Sequence, residues 1–102
     1  MVADGHRTAE RRSIALHAAV VARLDDAAVA QAGARVGRWL QDAGPVPPAS
    51  ARAWAALLDG PRDALAHALV RDDEEMRDLR QNTPFAAVVL PAERWRIVRE
   101  VR

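Results

Sequence analysis

The spacing of apolar residues is the feature of this sequence that most constrains its fold. In the first such segment, residues recur at steps of three or four positions, which places them on one face of an α-helix. They are Ile14, His17, Ala18, Val21 and Leu24. Similar spacing returns in the segments that follow, and proline, glycine or acidic residues separate them. The sequence therefore predicts an all-α fold.

Start and stop signals divide the chain into helices. Asp25 and Asp26 are typical of a helix N-cap, and so is Ser50, while Pro61 and Pro91 suit a first helical turn. The predicted helices span about 8–24, 26–42, 50–58, 61–70, 72–82 and 91–102. We expect a single compact domain of five to six short helices over residues 8–102, preceded by a flexible N-terminus at residues 1–7.

Two glycines lie inside the second predicted helix. Gly33 and Gly37 share a side with Val29, Val36 and Leu40, and each costs about 1 kcal/mol relative to alanine in a helix interior. Close approach of a second helix would explain this cost. The sequence leaves open whether that helix belongs to the same chain or to another molecule.

The apolar content predicts a thin core. Half of the 102 residues are hydrophobic, but 23 of those are alanine, which favours helix and contributes little apolar area. A chain with so small a core is suited to burying further apolar area against a partner, and a homo-oligomer is one possibility.

Charge is unevenly distributed along the chain. All 15 basic residues are arginine, which a GC-rich coding bias explains as readily as a function. Net charge is +2 over residues 1–24, −4 over residues 25–76 and +3 over residues 77–102. This layout favours a partner of mixed charge over uniform contact with nucleic acid.

Several cellular contexts are disfavoured. The absence of cysteine excludes disulfides and thiolate metal sites and is compatible with a reducing cytosol. The sequence contains no apolar run of membrane-spanning length, and its first residues lack the apolar core of a signal peptide. We expect a soluble, cytoplasmic protein without membrane contact.

Catalytic chemistry has few candidates. His6, His17 and His67 have no metal-ligand spacing, and the few hydroxyl side chains lack an obvious neighbouring base. The carboxylates at 72–75 allow either a Mg²⁺ site or a helix N-terminus stabilised by its dipole, and the second interpretation is favoured. We expect no enzyme activity and no cofactor.

Arginines near the C-terminus support a DNA-binding alternative. They are Arg77, Arg80, Arg94, Arg96, Arg99 and Arg102. Their spacing on the last helix also fits an ordinary solvated amphipathic helix. A small DNA-binding regulator that uses the basic ends is therefore the second hypothesis, and DNA binding stays open.

A continuous apolar run at residues 85–90 lies between Pro84 and Pro91. It could be a strand, a buried connection or a surface for another molecule. A lone strand has no predicted mate, so we interpret the run as a buried helical turn or extended connector. In that interpretation Phe85, Val88, Val89 and Leu90 seal the domain.

Three stretches carry a resemblance to a known family. They are "RAWAALLDGP" at 52–61, "LRQNTPF" at 79–85 and "PAERWRIVRE" at 91–100. Together they resemble the antitoxins of MenAT-type toxin–antitoxin pairs, a small helical family of actinobacterial type whose toxins are nucleotidyltransferases. The resemblance implies a non-enzymatic protein that neutralises its cognate toxin by direct contact.

Seven residues are the predicted partner-binding set: Arg77, Arg80, Gln81, Asn82, Phe85, Trp95 and Arg96. Each either contacts the partner or maintains the shape of the contact surface. In the alternative interpretation, Phe85 and Trp95 fill the core and residues 80–82 cap the fifth helix.

Overall fold

Six α-helices and one short 3-10 helix form the part of the chain that is described. The computed structural model describes residues 2–42 and 44–101, with side chains from Arg7 onward. The α-helices are α1 (Val2–Ala22), α2 (Asp26–Asp42), α3 (Pro48–Asp59), α4 (Arg62–Leu69), α5 (Glu74–Gln81) and α6 (Pro91–Glu100), and the 3-10 helix is Ala86–Val88. No strand occurs in these ranges, so the predicted all-α fold is confirmed.

Helix α1 begins earlier than the sequence predicted. Its backbone is helical from Val2 rather than from Thr8, so the backbone at residues 2–7 belongs to this helix. The flexibility that was expected of this terminus stays a prediction. Met1 belongs to the predicted flexible N-terminus, and Arg102 is one of the arginines near the C-terminus. Both residues lie outside the described residues.

Helix caps agree with the sequence at Asp25 and differ from it at Ser50. The Asp25 carboxylate accepts the amide of Ala28 at 2.8 Å, as expected for an N-cap. The predicted N-cap at Ser50 is wrong, because α3 starts at Pro48 with Pro47 as its N-cap. Proline suits this first position since its fixed φ is already helical and its missing amide would have no partner there.

The core is centred on Trp54. This side chain is fully buried, its Nε1 donates to the carbonyl of Leu79 at 3.1 Å, and its ring meets that of Phe85 edge-on at 6.0 Å. An edge-to-face aromatic pair adds about 0.5–1.5 kcal/mol beyond its area burial. The surrounding buried side chains are Val20, Ala32, Val36, Leu65, Ala68, Leu69, Met76, Leu79 and Val89.

Helix α1 contacts α4, α5 and α6, while α2 packs mainly on α3. Two contacts fix α6 antiparallel to α1. Near one end, Arg23 pairs with Glu93 at 2.8 Å, and near the other, Arg12 Nε donates to the carbonyl of Val101 at 2.8 Å. The channel that α1 forms with α5 and α6 is the setting of the candidate site.

The buried face of α2 differs from the predicted one. Ala28, Ala32 and Val36 are buried, whereas a Cβ atom built on Gly33 or Gly37 would meet nothing within 4 Å in the described structure. Ala28 and Ala32, four positions apart, lie on the buried side of α2, so packing within the described chain does not explain the two glycines. Of the two alternatives, packing inside the monomer is wrong for the described residues, and an intermolecular contact stays a prediction.

The buried face of α1 agrees in part with the predicted one, because Val21 and Leu24 pack against the core. His17 and Val20 are buried, but Ala18 is exposed. Alanine has little apolar area, so its exposure costs little. The helix instead turns Leu16 and Ala19 towards the core.

The apolar run at 85–90 forms the predicted helical turn. Phe85 and Val89 are buried, but Leu90 is 60% exposed, so the expectation that Leu90 seals the domain is wrong. Val89 and Leu90 both have extended backbone, and successive side chains of extended backbone point to opposite sides. Burial of Val89 therefore turns Leu90 outward.

No helix in the described ranges is both long enough and apolar enough to cross a bilayer.

Candidate binding groove

Three adjoining cavities form one groove along α1, which we call the α1 groove. The first, of about 100 Å³, is its polar end and lies between α1 and α5. A middle cavity of about 260 Å³ shares Ala9, Ser13 and Arg80 with the polar end. The third cavity, of about 460 Å³, is the apolar end at α6. It shares Ala86, Arg94 and Val98 with the middle.

The apolar end presents an exposed aromatic side chain. Trp95 is 63% exposed and lies beside Val98 in the lining of the third cavity. Leu90, also exposed, immediately precedes the first turn of α6. Aromatic side chains that are rigid, large and exposed are typical anchors of protein interfaces.

The polar end brings together three of the predicted partner-binding residues. Arg77, Arg80 and Gln81 from α5 line it together with Glu10 and Ser13 from α1. They converge because residues three and four positions apart share one face of a helix. The first three belong to one stretch of the sequence, "RDLRQ" at 77–81, and their role in binding stays a prediction.

Arg80 is the most unusual of these residues because its charge is buried. Only 3% of the residue is exposed. Its Nη1 donates to the carbonyl of Leu69 at 3.2 Å and to that of Arg71 at 2.8 Å. The alternative prediction that Arg80 caps the fifth helix is wrong: it satisfies carbonyls at the end of α4, which lies close to α5.

The remaining donors of Arg80 are not satisfied. Nε and Nη2 have no hydrogen-bond partner among the described residues. Burial lowers the pKa of Arg80 from its ordinary value, while the charges of Asp72 and Asp73 oppose the shift. Since arginine titrates far above neutral pH, a positive charge with unfilled donors lies under the polar end of the groove.

A histidine network forms the floor of the middle cavity. His17 Nδ1 donates to the carbonyl of Ser13 at 2.7 Å, because a carbonyl can only accept. Nε2 of the neutral ring then accepts the hydroxyl proton of Thr83 at 2.9 Å, and Thr83 Oγ1 accepts the amide of Phe85 at 3.1 Å. Burial lowers the pKa of His17 to about 4, so the ring is neutral at pH 7.

The groove carries an excess of positive charge. The arginines in its lining are Arg12, Arg77, Arg80 and Arg94, while Glu10 is the one carboxylate among the described residues that line the three cavities. Arg94 is oriented by a hydrogen bond of 2.5 Å from Nη2 to the carbonyl of Ala86. Such a groove favours an anionic occupant.

The other predicted site residues lie outside the groove lining. Phe85 is fully buried against Trp54 and so maintains shape without offering a contact surface. Asn82 follows the last turn of α5, where its amide donates to the carbonyl of Leu79. Arg96 is exposed on α6 and pairs with Glu93 at 3.8 Å. The alternative that Trp95 fills the core is wrong, because this side chain is exposed.

Sequence reasoning missed the contribution of α1. Ala9, Arg12, Ser13 and Leu16 line the groove. Their three- and four-residue spacing is a signal for one shared face. Apolar periodicity does not reveal this face, because it mixes small, polar and charged residues with a single large apolar one.

The acidic segment at 72–75 has local roles in the structure. Asp73 is the N-cap of α5, accepting the amide of Met76 at 2.9 Å and pairing with Arg71. Asp72 pairs with Arg77 at 3.0 Å. Within the described ranges, no group of three or more histidine and carboxylate side chains is placed to hold a metal ion.

Comparison of the chain with protein-family models, with curated proteins and with solved structures finds no match. The geometry of the α1 groove must therefore carry the functional argument.

Proposed function

We propose that this chain is a non-enzymatic, cytoplasmic binding protein that holds a protein partner in the α1 groove. The proposed partner is a cognate toxin of the nucleotidyltransferase type, as the resemblance of residues 52–61, 79–85 and 91–100 implies. Binding would neutralise the toxin by covering its active site or the access of its substrate.

The observation that carries the proposal is the exposure of Trp95. Trp95 is 63% exposed and lines the open apolar end of the groove. Covering its apolar area with a partner removes that area from water, which contributes favourable binding free energy. Tryptophan is enriched among the residues that dominate binding energy. Neighbouring Val98 extends the same apolar surface and, at 36% exposed, is itself partly available.

Charge complementarity supports an acidic segment of the toxin as the occupant. Among the described residues, the groove lining contains four arginines and one carboxylate, Glu10, and Asp72 outside the lining pairs with Arg77. Carboxylates of a partner would pair with these arginines while an apolar side chain packs on Trp95. Such polar pairing orients a partner and excludes basic surfaces.

Co-expression with the neighbouring gene product tests this proposal. The chain is produced with an adjacent nucleotidyltransferase, and the pair is analysed for a stable complex and for relief of growth inhibition. We expect a complex that withstands size-exclusion chromatography and restored growth. If neither occurs with the full-length proteins, the toxin proposal is wrong.

The exposed arginines of α6 favour DNA binding as a second candidate. Arg94, Arg96 and Arg99 are all exposed on this helix. A regulator that uses them would bind the DNA upstream of its own gene, with an affinity that falls about 10³-fold or more between 50 and 200 mM salt if six or more phosphates are contacted. Unchanged mobility of that DNA at low salt would remove this candidate.

A further inference from the structure

We infer that the polar end of the α1 groove is a binding site for one oxyanion, a phosphate or a carboxylate group. The site consists of Arg77, Arg80, Ser13 and Gln81. It is independent of the proposed toxin, because it requires only an anionic oxygen group of any source.

Arg80 supplies the first reason for this inference. Its guanidinium is buried, yet Nε and Nη2 find no partner among the described residues. Buried polar atoms are nearly always hydrogen-bonded, and an unfilled charged donor is especially unfavourable. Both atoms have almost no contact with solvent, so an anion reaches them only if neighbouring groups move.

Arg77 supplies a second and more accessible guanidinium. Its Nε lies 3.0 Å from a carboxylate oxygen of Asp72 and 3.7 Å from one of Glu10, and its side chain is 39% exposed. Two terminal guanidinium nitrogens form the fork that binds the paired oxygens of carboxylate or phosphate.

Neutral donors complete the site. Ser13, which has a hydroxyl, and Gln81, which has an amide, line the same cavity as the two arginines. The cavity volume of about 100 Å³ suits a group of a few atoms and excludes a large ligand in its entirety. The ligand would therefore be a small anion, or the anionic tip of a larger molecule.

Glu10 is the internal competitor of the proposed ligand. Its carboxylate lines the cavity and lies 3.7 Å from Arg77 Nε, which is longer than a hydrogen bond. Its charge opposes entry of an anion, so its neutralisation should strengthen binding. This gives the site a variant whose effect has the opposite sign to that of removing an arginine.

Titration of the full chain with sodium phosphate and with sodium acetate tests the inference. Sodium chloride keeps ionic strength constant, and amide chemical shifts of Ser13 and Gln81 report binding. We expect saturable shifts with at least one of the two anions. Tighter binding of phosphate would assign a phosphate-bearing ligand, and tighter binding of acetate a carboxylate-bearing one.

Variants separate the site from general attraction to a basic protein. Arg77→Gln should weaken binding about tenfold, in line with loss of one charge-assisted interaction, and Glu10→Gln should tighten it. The matched control, Arg38→Gln, removes an exposed arginine of α2 and should change affinity less than twofold. Ser13→Ala, expected to weaken binding severalfold, provides a second test if Arg77→Gln alters the fold.

Two results would overturn the inference. One is the absence of saturation by both anions in the folded wild-type chain. The other is equal weakening by Arg77→Gln and Arg38→Gln, since that would show diffuse attraction instead of a site.

Discussion

His17 Nε2 lies 2.9 Å from the hydroxyl oxygen of Thr83, 66 residues away in the sequence. This contact joins α1 to the loop that leads into the apolar turn. The loop bears Phe85 on one side and opens into the groove on the other, so the same hydrogen bond positions part of the core and part of the candidate site.

Stability should fall between pH 6.5 and pH 4 because of His17. Burial lowers the pKa of the folded state to about 4 from a usual value of 6.5. In this window the unfolded chain binds a proton that the folded chain does not, so the free energy of unfolding decreases as pH falls. The pKa difference corresponds to a loss of about 3 kcal/mol in the free energy of unfolding. Urea unfolding at pH 4, 5 and 7 would measure this loss.

Carboxylates titrate near the same window, so a His17→Gln variant is the control. Its stability should depend on pH less steeply than that of the wild type between pH 6.5 and 4. Parallel pH profiles for the two proteins would contradict the assignment to His17.

Thr83→Val should destabilise the chain by about 1–3 kcal/mol. The substitution leaves Nε2 of His17 and the amide of Phe85 without their hydroxyl partner, and unsatisfied buried groups cost about this much. Thr83→Ser keeps the hydroxyl and should remain within about 1 kcal/mol of the wild type. Chemical denaturation of the three proteins gives the comparison, and equal losses in both variants would argue against a role for the hydroxyl.

The two cap positions should respond differently to alanine. Asp25→Ala removes the acceptor of the Ala28 amide and should cost about 0.5–2 kcal/mol. Ser50→Ala should stay within about 0.5 kcal/mol of the wild type, because α3 starts at Pro48. Thermal unfolding of both variants tests this, and a larger loss at Ser50 would restore the cap predicted from the sequence.

The sequence was informative where one local rule decided the outcome. Apolar spacing predicted the helices, and the apolar residues Leu65, Ala68, Leu69, Met76 and Leu79 of α4 and α5 are buried. At Ser50 two local signals competed, and the proline signal won. Local rules alone could not decide which of the favourable signals would prevail.

The candidate site was harder to predict because it depends on how helices pack together. Phe85 and Trp95 are both aromatic residues near a proline, yet one is fully buried and the other 63% exposed. Arg80 was predicted to bind a partner or to cap its own helix, but its carbonyl partners belong to α4 and the segment after it. Periodicity assigns a residue to a face without identifying what covers that face.

Trp95→Ala should leave stability nearly unchanged. The side chain is mostly exposed, and substitutions at such positions usually shift the free energy of unfolding by no more than about 0.5 kcal/mol. Thermal unfolding of the isolated chain measures this. A loss of several kcal/mol would mean that Trp95 supports the fold, and binding defects of the variant could then not be attributed to the surface.

The affinity of the Trp95→Ala variant for the co-expressed nucleotidyltransferase tests the central claim most directly. His67→Ala is the matched control, since His67 is an exposed residue of α4 outside the groove lining. By calorimetry, we expect Trp95→Ala to weaken binding by about 2 kcal/mol or more, roughly 30-fold, and His67→Ala to leave it within twofold. Equal affinities of the wild type and Trp95→Ala would contradict the account.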